Sequence, residues 1–359
     1  MTYSIVHSES QEDWASWDDF LNKSSRGIYL QTEDWLKSYS SYGFSSSLIL
    51  AKTEGGEILG GIGAVLAKTG PFKVLVCPYG PIIKEGQEHL IEELVDEFLK
   101  VGKRQGAFLV QLSTPFSSNP ISPHTYSFVK DYPGRRVPSG RGIPFKFVIG
   151  VSAFRAVHLF PKEADAYEKI RKNYKASTRR DVNKSQRMGN ELQFANSLDD
   201  IKAAYSLIEL NAVNQGYSVR SWSEFGSTLV SLVNKGLCHI VTCVNEGELK
   251  GALVIFDVGN KLHYIMGATL REKKDLMVGH FLQDQVIQFG VSKGYDFYDI
   301  SMGGSEGVVR FKKGFGGEEL GLEEPYYWVL KPWLFWTYQK LMPWVQRNKK
   351  FISRLLSKK

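Results

Sequence analysis

SLILAKTEGGEILGGIGAVLA (residues 47–67) and HIVTCVNEGELKGALVIFD (residues 239–257) share one pattern. Each has an apolar run, a short glycine-bearing turn and a second apolar run, which predicts a β-hairpin. KVLVCPYGPII (73–83) adds a third strand to the first hairpin, and KLHYIMGAT (261–269) does so for the second. HLIEELVDEFLKVGKRQG (89–106) then reads as an amphipathic helix stopped by Gly106, matched by HFLQDQVIQFGVSKG (280–294). AFLVQLS and YDFYDIS close the two series as buried strands. Gly106 and Gly294 stand 188 residues apart, as do Ser113 and Ser301, while Gly80–Gly267 and Gly61–Gly251 are separated by 187 and 190. One offset held at four landmarks implies two copies of a single α+β unit.

Around these copies the chain changes character. Residues 12–42 read as two helical pieces, with Trp14, Trp17, Phe20 and Leu21 on one face. The Pro-, Ser- and Gly-rich stretch 116–149 reads as an irregular connection. A helix is predicted from Pro161 to Gly189, with Tyr167, Ile170 and Tyr174 as its apolar stripe. It carries Lys169, Arg171, Lys172, Lys175, Arg179, Arg180, Lys184 and Arg187. That bias to one sign fits a phosphate-rich partner as well as it fits a solvated face. The expected division is 1–150 for the first domain, 151–330 for the second and 331–359 for a basic, tryptophan-rich amphipathic tail.

Composition narrows the class. The chain of 359 residues is 43% hydrophobic and 23% charged, as in soluble two-domain proteins. No window approaches the ~20 apolar residues of a membrane span, and the N-terminus lacks the regions of a secretory signal. Cys77, Cys238 and Cys243 have neither metal-ligand spacing nor a disulfide framework, so no metal site is expected. Residues 331–359 hold eight Lys or Arg and no acid; taken from the total of +7, they leave the first 330 residues at −1. The basicity therefore belongs to the tail, where Trp344, Phe351, Ile352 and Leu355 recur at helical spacing opposite Arg347, Lys349, Lys350 and Arg354. Such a helix can lie on an anionic membrane surface or dock on the protein body.

One run stands apart from the repeat. GGSEGVVRFKKGFGG (303–317) follows the last strand of the second copy and has no counterpart after Ser113 in the first. Its glycines allow close backbone approach, and Arg310, Lys312 and Lys313 place cations beside them.

The repeated unit resembles the N-acetyltransferase fold, and YDFYDIS followed by this run resembles the Fem-type (FemABX) aminoacyl transferases, built from two such units in tandem. QTEDWLKSYSSYG (31–43) is similar to the family's N-terminal Trp-x-Lys segment, and PYGPII (78–83) to its Gly-Pro strand end. STRRDVNKSQRMG (177–189) resembles the basic segment opening the second unit, and NQGYSVRSWSEF (214–225) its Arg-bearing loop. The fold implied is α+β: two tandem N-acetyltransferase-like domains, each a mixed sheet flanked by helices, with no coiled-coil arm and a C-terminal amphipathic helix.

The resemblance also implies a function. Family members transfer an amino acid from aminoacyl-tRNA, a co-substrate in place of a cofactor, to an amine on the stem peptide of a peptidoglycan precursor. It places Lys312 near the reacting centre; Glu306, in the same run, is a candidate catalytic general base, a role that water could also fill. Asp299 and Glu224 are other carboxylates able to act as base. Lys37 and Arg220 match cations for an acceptor diphosphate, Tyr264 a cleft tyrosine, and Glu224 and Gly304 further substrate contacts. Arg179, Arg180 and Lys184 fall in the segment expected to meet tRNA. Phe108, Ser113, Glu224 and Met266 depart from the nucleotide-linked members, which offer Tyr, Asp, Tyr and Tyr. With the basic tail, these departures favour a lipid-linked acceptor and a cytoplasmic protein lying on the inner face of a bacterial membrane. Two other readings stay open: an acyl-CoA-dependent N-acyltransferase acting on an exopolysaccharide sugar, and an inactive membrane-associated scaffold. The CoA-binding Gln/Arg-x-x-Gly-x-Gly/Ala loop is absent after both third strands.

Overall fold

The computed structural model describes residues 2–118, 121–122, 132–136, 144–146, 148, 153–270 and 275–347. The first copy begins with β1 (Tyr3–Ser8), α1 (Gln11–Lys23) and α2 (Glu33–Lys37). The predicted hairpin follows as β2 (Ser45–Thr53) and β3 (Ile58–Thr69), then β4 (Phe72–Cys77), β5 (Ile82–Ile83), α3 (Ile91–Arg104) and β6 (Leu109–Leu112). A small ribbon, β7 (Ser117–Ser118) with β8 (Ile121–Ser122), lies in the connection.

After the connection come β9 (Ala153–His158), α4 (Ala166–Asn173) and α5 (Ala176–Ser185), and the second copy then begins with β10 (Glu191–Phe194), α6 (Leu198–Gln215) and α7 (Trp222–Asn234). The second hairpin is β11 (Cys238–Asn245) and β12 (Glu248–Asp257), followed by β13 (Lys261–Thr269), α8 (Val278–Lys293), β14 (Phe297–Asp299), α9 (Glu306–Lys313) and β15 (Glu318–Gly321). Two last elements, β16 (Tyr326–Val329) and α10 (Pro332–Arg347), complete the described chain.

The sheets are mixed and run in matching order. The first is β1-β2-β3-β4-β6-β16, with β5 beside β3; the second is β10-β11-β12-β13-β14-β9-β15. In both, the third hairpin-side strand pairs in parallel with the strand after the helix, β4 with β6 and β13 with β14. The next place in each sheet is filled by a strand from outside the repeat. β9, which precedes the second copy, lies antiparallel to β14, and β16, which follows it, lies antiparallel to β6. Residues 326–347 thus belong to the first unit's body, not to the second unit and a separate tail as the sequence division had it. The reason is edge satisfaction: β16 supplies the backbone partners that β6 would otherwise lack.

The long helix expected from Pro161 to Gly189 is two short helices. Tyr174 breaks it in extended conformation, with its phenol on Asp284 of α8, and Lys175 donates its backbone N–H to the Gly314 carbonyl. The amphipathic pattern at Phe351, Ile352 and Leu355 lies outside the described residues, whereas α10 docks on the first unit through Leu334, Phe335 and Tyr338. All three cysteines are buried and free.

Aromatic packing and two lysines join the units. Tyr29 stacks on Phe256 at 4.7 Å, and Trp35 meets Phe256 and Phe225 edge-on. Lys235 of the second unit reaches Asp34, Glu33 and Asp18 of the first at 2.7, 3.0 and 3.4 Å. Lys261, fully buried, donates to the Ser25 and Gly259 carbonyls at 2.8 and 3.0 Å. Gly259 is at φ +70, and a Cβ there would lie 2.5 Å from the Gly27 carbonyl oxygen, so this crossing needs glycine. No helix among the described residues is long and apolar enough to cross a membrane.

Candidate active site

Parallel pairing between β13 and β14 lasts only from Lys261–Phe297 to His263–Asp299. Beyond it the strands part, and β13 bulges at Ile265 against β12. Tyr264 to Gly267 are left half-exposed along the gap. In the first unit the corresponding gap is shut: the Gly80 N–H donates to the Ser113 carbonyl, and the Gln31 side chain bonds Gly63 and the Pro78 carbonyl. Tyr79 is buried beside them. Among the described residues, only the second unit leaves this stretch of its third strand half-exposed.

The glycine-dense run crosses that seam. After β14 the chain turns at Ser301 and Gly304, both at positive φ, and α9 starts at Ser305. The last turn of α9 brings Lys312 back over the turn. Its Nζ donates to the Gly303 carbonyl at 2.7 Å and sits 4.8 Å from the Tyr264 ring centre. The residue is only 4% exposed. Burial pulls its pKa down to about 8; Arg155 adds to that effect and Asp299 opposes it. A lysine so placed is a cation at neutral pH that can lose its proton just above it.

Asp299 organises the floor. One carboxylate oxygen accepts the backbone N–H groups of Arg155 and Ser301 at 3.0 and 2.8 Å, and the other faces His263 Nδ1 at 3.4 Å. Burial holds His263 below its usual pKa against the pull of Asp299, so the ring is neutral. Its Nε2 and the Nε of Arg155 have no hydrogen-bond partner among the described residues. Arg155, on β9, is buried and donates to Glu319 and the Met302 sulfur, both at 3.2 Å. Neither Arg155 nor His263 was named from sequence: each sits in an unremarkable strand, and only the insertion of β9 beside β14 brings Arg155 to the seam.

A second cluster lies where the units meet. Asp34, Lys37 and Ser38 of the first unit face Ser223, Glu224 and Thr228 of α7 across a cleft of about 460 Å³. The Arg220 guanidinium lies 4.8–5.5 Å from the rings of Trp35, Tyr39, Tyr42 and Phe225 and donates to Ser38 Oγ at 2.6 Å. Lys37 pairs with Glu33 at 2.6 Å and bonds Gln11 at 3.2 Å. Lys37 and Glu224 therefore line one inter-unit cleft, with Arg220 behind it through Ser38, while Lys312 and Tyr264 meet at the seam.

Other expected site residues are engaged elsewhere. The Glu306 side chain is 92% exposed and pairs with Arg310, so it is not brought to the Lys312 ammonium. Glu224 closes a capping box on Ser221 at the start of α7, and that backbone bond lowers its pKa. Arg179 caps the end of α4 through the carbonyls of Tyr174 and Lys172, whereas Arg180 and Lys184 point to solvent. Among the described residues no group of His, Cys, Asp and Glu is arranged to hold a metal.

Volume alone would select another place. A larger hollow, about 940 Å³, lies between α1 and the β3–β5 region, and its Lys84 is already paired with Glu57. None of the convergent groups above lines it. A smaller groove of about 420 Å³ opens at the start of α8 and touches α9 through Phe311.

Residues 172–313 match the acetyltransferase (GNAT) domain family, so the second unit carries an acyltransferase-type domain. The whole fold is similar to the crystal structure of FemX, with a TM-score of 0.76 at 14% identity over 93% of this chain and 99% of that one. It is also similar to L-PGS from Bacillus licheniformis (TM-score 0.53, 14% identity, 94% and 97% covered). A third likeness is to the C-terminal domain (DUF2156) of a provisionally assigned lysylphosphatidylglycerol synthetase from Agrobacterium fabrum (0.54, 14%, 88% and 90%). No curated protein matches significantly. At these identities the likeness fixes the fold, a Fem-type tandem of acetyltransferase-like units.

Proposed function

We propose, with the Fem-type tandem fold as premise, that this protein transfers an aminoacyl group from aminoacyl-tRNA to an amine on the stem peptide of a peptidoglycan precursor, preferably lipid-linked. The observation that carries the reading is the buried Lys312 ammonium, held against Tyr264 at the half-exposed seam of the second unit.

The chemistry asks little covalent help from the protein. The acceptor amine attacks the ester carbonyl, the new C–N bond forms, and the carbonyl oxygen takes negative charge. The ester C–O bond to the ribose then breaks, and the proton shed by the amine leaves with the ribose hydroxyl. Holding the two reactants together supplies much of the acceleration. A fixed cation at the developing oxyanion contributes typically about 10²–10³ in rate, and the buried Lys312 ammonium supports that role. Asp299 faces Lys312 from the floor and keeps the ammonium charged against burial.

The cleft of Lys37 and Arg220 fits the diphosphate of a precursor, since a guanidinium suits bidentate phosphate recognition. The exposed Arg180 and Lys184 support contact with the tRNA backbone, and the groove at Phe311 offers its terminus a way to the seam.

The test is incorporation of labelled amino acid from charged tRNA into lipid-linked precursor, with and without ribonuclease. Ribonuclease-sensitive transfer is expected. CoA-dependent labelling of a sugar would assign an N-acyltransferase instead, and no transfer from either donor would leave a scaffold.

A further inference from the structure

Helix α10 has two unlike sides. Toward the protein, Tyr338 packs edge-on against Phe72 and Phe335 stacks on Tyr327, with Leu334 buried beside them. Toward solvent, Trp333 is 68% exposed and Trp336 60%. Every other tryptophan with a described side chain is buried or half-buried. Lys340 Nζ lies 3.8 Å from the Trp336 ring centre, so Trp333, Trp336 and Lys340 form one stripe at helical spacing. The inner side is locked into the first unit's core, and the outer side has nothing of this chain to cover it among the described residues.

Two exposed indoles beside a lysine fit a surface that is apolar just beneath a polar layer, because indole pairs a large apolar body with one N–H. Charge decides the occupant. From Lys331 onward the chain holds eight cations and no acid, while the first 330 residues total −1. An anionic lipid surface answers both the indoles and the cations.

We propose that the Trp333–Trp336–Lys340 face of α10 seats in the headgroup layer of an anionic bilayer. The rigid docking of the helix's inner side then fixes how the two units stand on the membrane. This inference does not depend on the transfer reaction proposed above, and its test needs no substrate.

Full-length protein and the Trp333→Ser/Trp336→Ser variant are sedimented with vesicles of phosphatidylcholine alone or mixed with phosphatidylglycerol. Wild type binds the anionic vesicles only, its tryptophan emission shifts to the blue, and the bound fraction falls in about 0.5 M salt. The variant, which keeps the wild-type melting temperature, binds at least about tenfold more weakly. Equal binding of the two proteins, binding of neither, or binding that ignores lipid charge overturns the proposal. So does self-association by light scattering that the variant abolishes, which would give the face to a second copy. Aqueous transfer assays judge the catalytic reading separately, since the variant leaves the seam and cleft intact.

Discussion

The Lys312 ammonium lies 4.8 Å from the centre of the Tyr264 ring, although the two residues belong to different elements of the second unit. β13 can offer Tyr264 because its pairing with β14 ends one residue earlier, at His263. α9 can offer Lys312 because the preceding turn takes positive φ at Ser301 and Gly304. The open seam and the glycine-dense run are thus two halves of one device. The seam presents the Tyr264 ring, and the run returns a cation over it.

Replacing Lys312 with Met should lower transfer by about 10²–10³ at saturating substrate, the range for loss of one oxyanion-stabilising group. The methionine fills similar space and removes a buried charge, so the melting temperature should hold or rise. Turnover near wild type, or loss of activity together with unfolding, would remove Lys312 from the reaction.

The pH profile supplies a second test. With a pKa of about 8 against 10.5 in the open chain, the ammonium required for transfer is lost as pH rises through about 8. An alkaline limb near that pH is therefore expected in kcat. Asp299 favours the charged form, so Asp299→Asn should move the limb to lower pH. For stability the sign runs the other way. Between about pH 8 and 10.5 the unfolded chain binds the extra proton, so this group makes the fold more stable as pH rises, and Lys312→Met should erase that slope. A limb unmoved in Asp299→Asn would refute the coupling.

The repeat, both hairpins and the two repeated helices α3 and α8 were legible because apolar alternation and glycine stops are local signals. The order of the sheets was not. β9 and β16 are each short strands whose partners, β14 and β6, lie more than a hundred residues away, and local pattern carries no information about such pairing. The same blindness explains the site. Lys312, Tyr264, Lys37 and Arg220 stood in recognisable segments, whereas Arg155 became visible only once β9 was seen beside β14. Glu306 looked plausible because it lies six residues from Lys312, but α9 turns it toward Arg310 and solvent.

Arg220 tests the acceptor cleft. Its guanidinium stacks among four rings while its edge reaches Ser38, an arrangement that lysine cannot reproduce. Arg220→Lys should raise KM for the diphosphate-bearing acceptor about tenfold and change kcat less. An unchanged KM would make Arg220 a structural bridge between the units and no more.

Lys235 tests what holds the units together. It neutralises Asp18, Glu33 and Asp34, and burial has already pushed Asp18 up to about 6. A carboxyl raised above its open-chain value favours the fold at low pH, and that contribution is lost as pH rises from about 4 through 6. Lys235→Met removes the compensating cation, so it should cost about 1–3 kcal/mol at neutral pH and less at pH 5. The check is urea unfolding at both pH values; an equal cost at each would mean that the three carboxylates do not depend on Lys235.

Strand exchange yields the last prediction. β16 is the outer partner of β6, and Tyr326, Tyr327 and Trp328 are buried against the first unit. A chain ending at residue 325 keeps every hairpin and helix of the first copy but loses that strand and α10. Each buried aromatic removed should cost about 1.5–3 kcal/mol, and β6 becomes an unpaired edge. The truncated chain should therefore melt well below the full-length protein and aggregate, although no residue of the repeat is missing. A chain ending at residue 330 retains β16 and should melt much closer to full length. Calorimetry on the three proteins decides the matter: if 1–325 and 1–330 melt together, the strand is decoration on the first sheet and the units do not depend on the exchange.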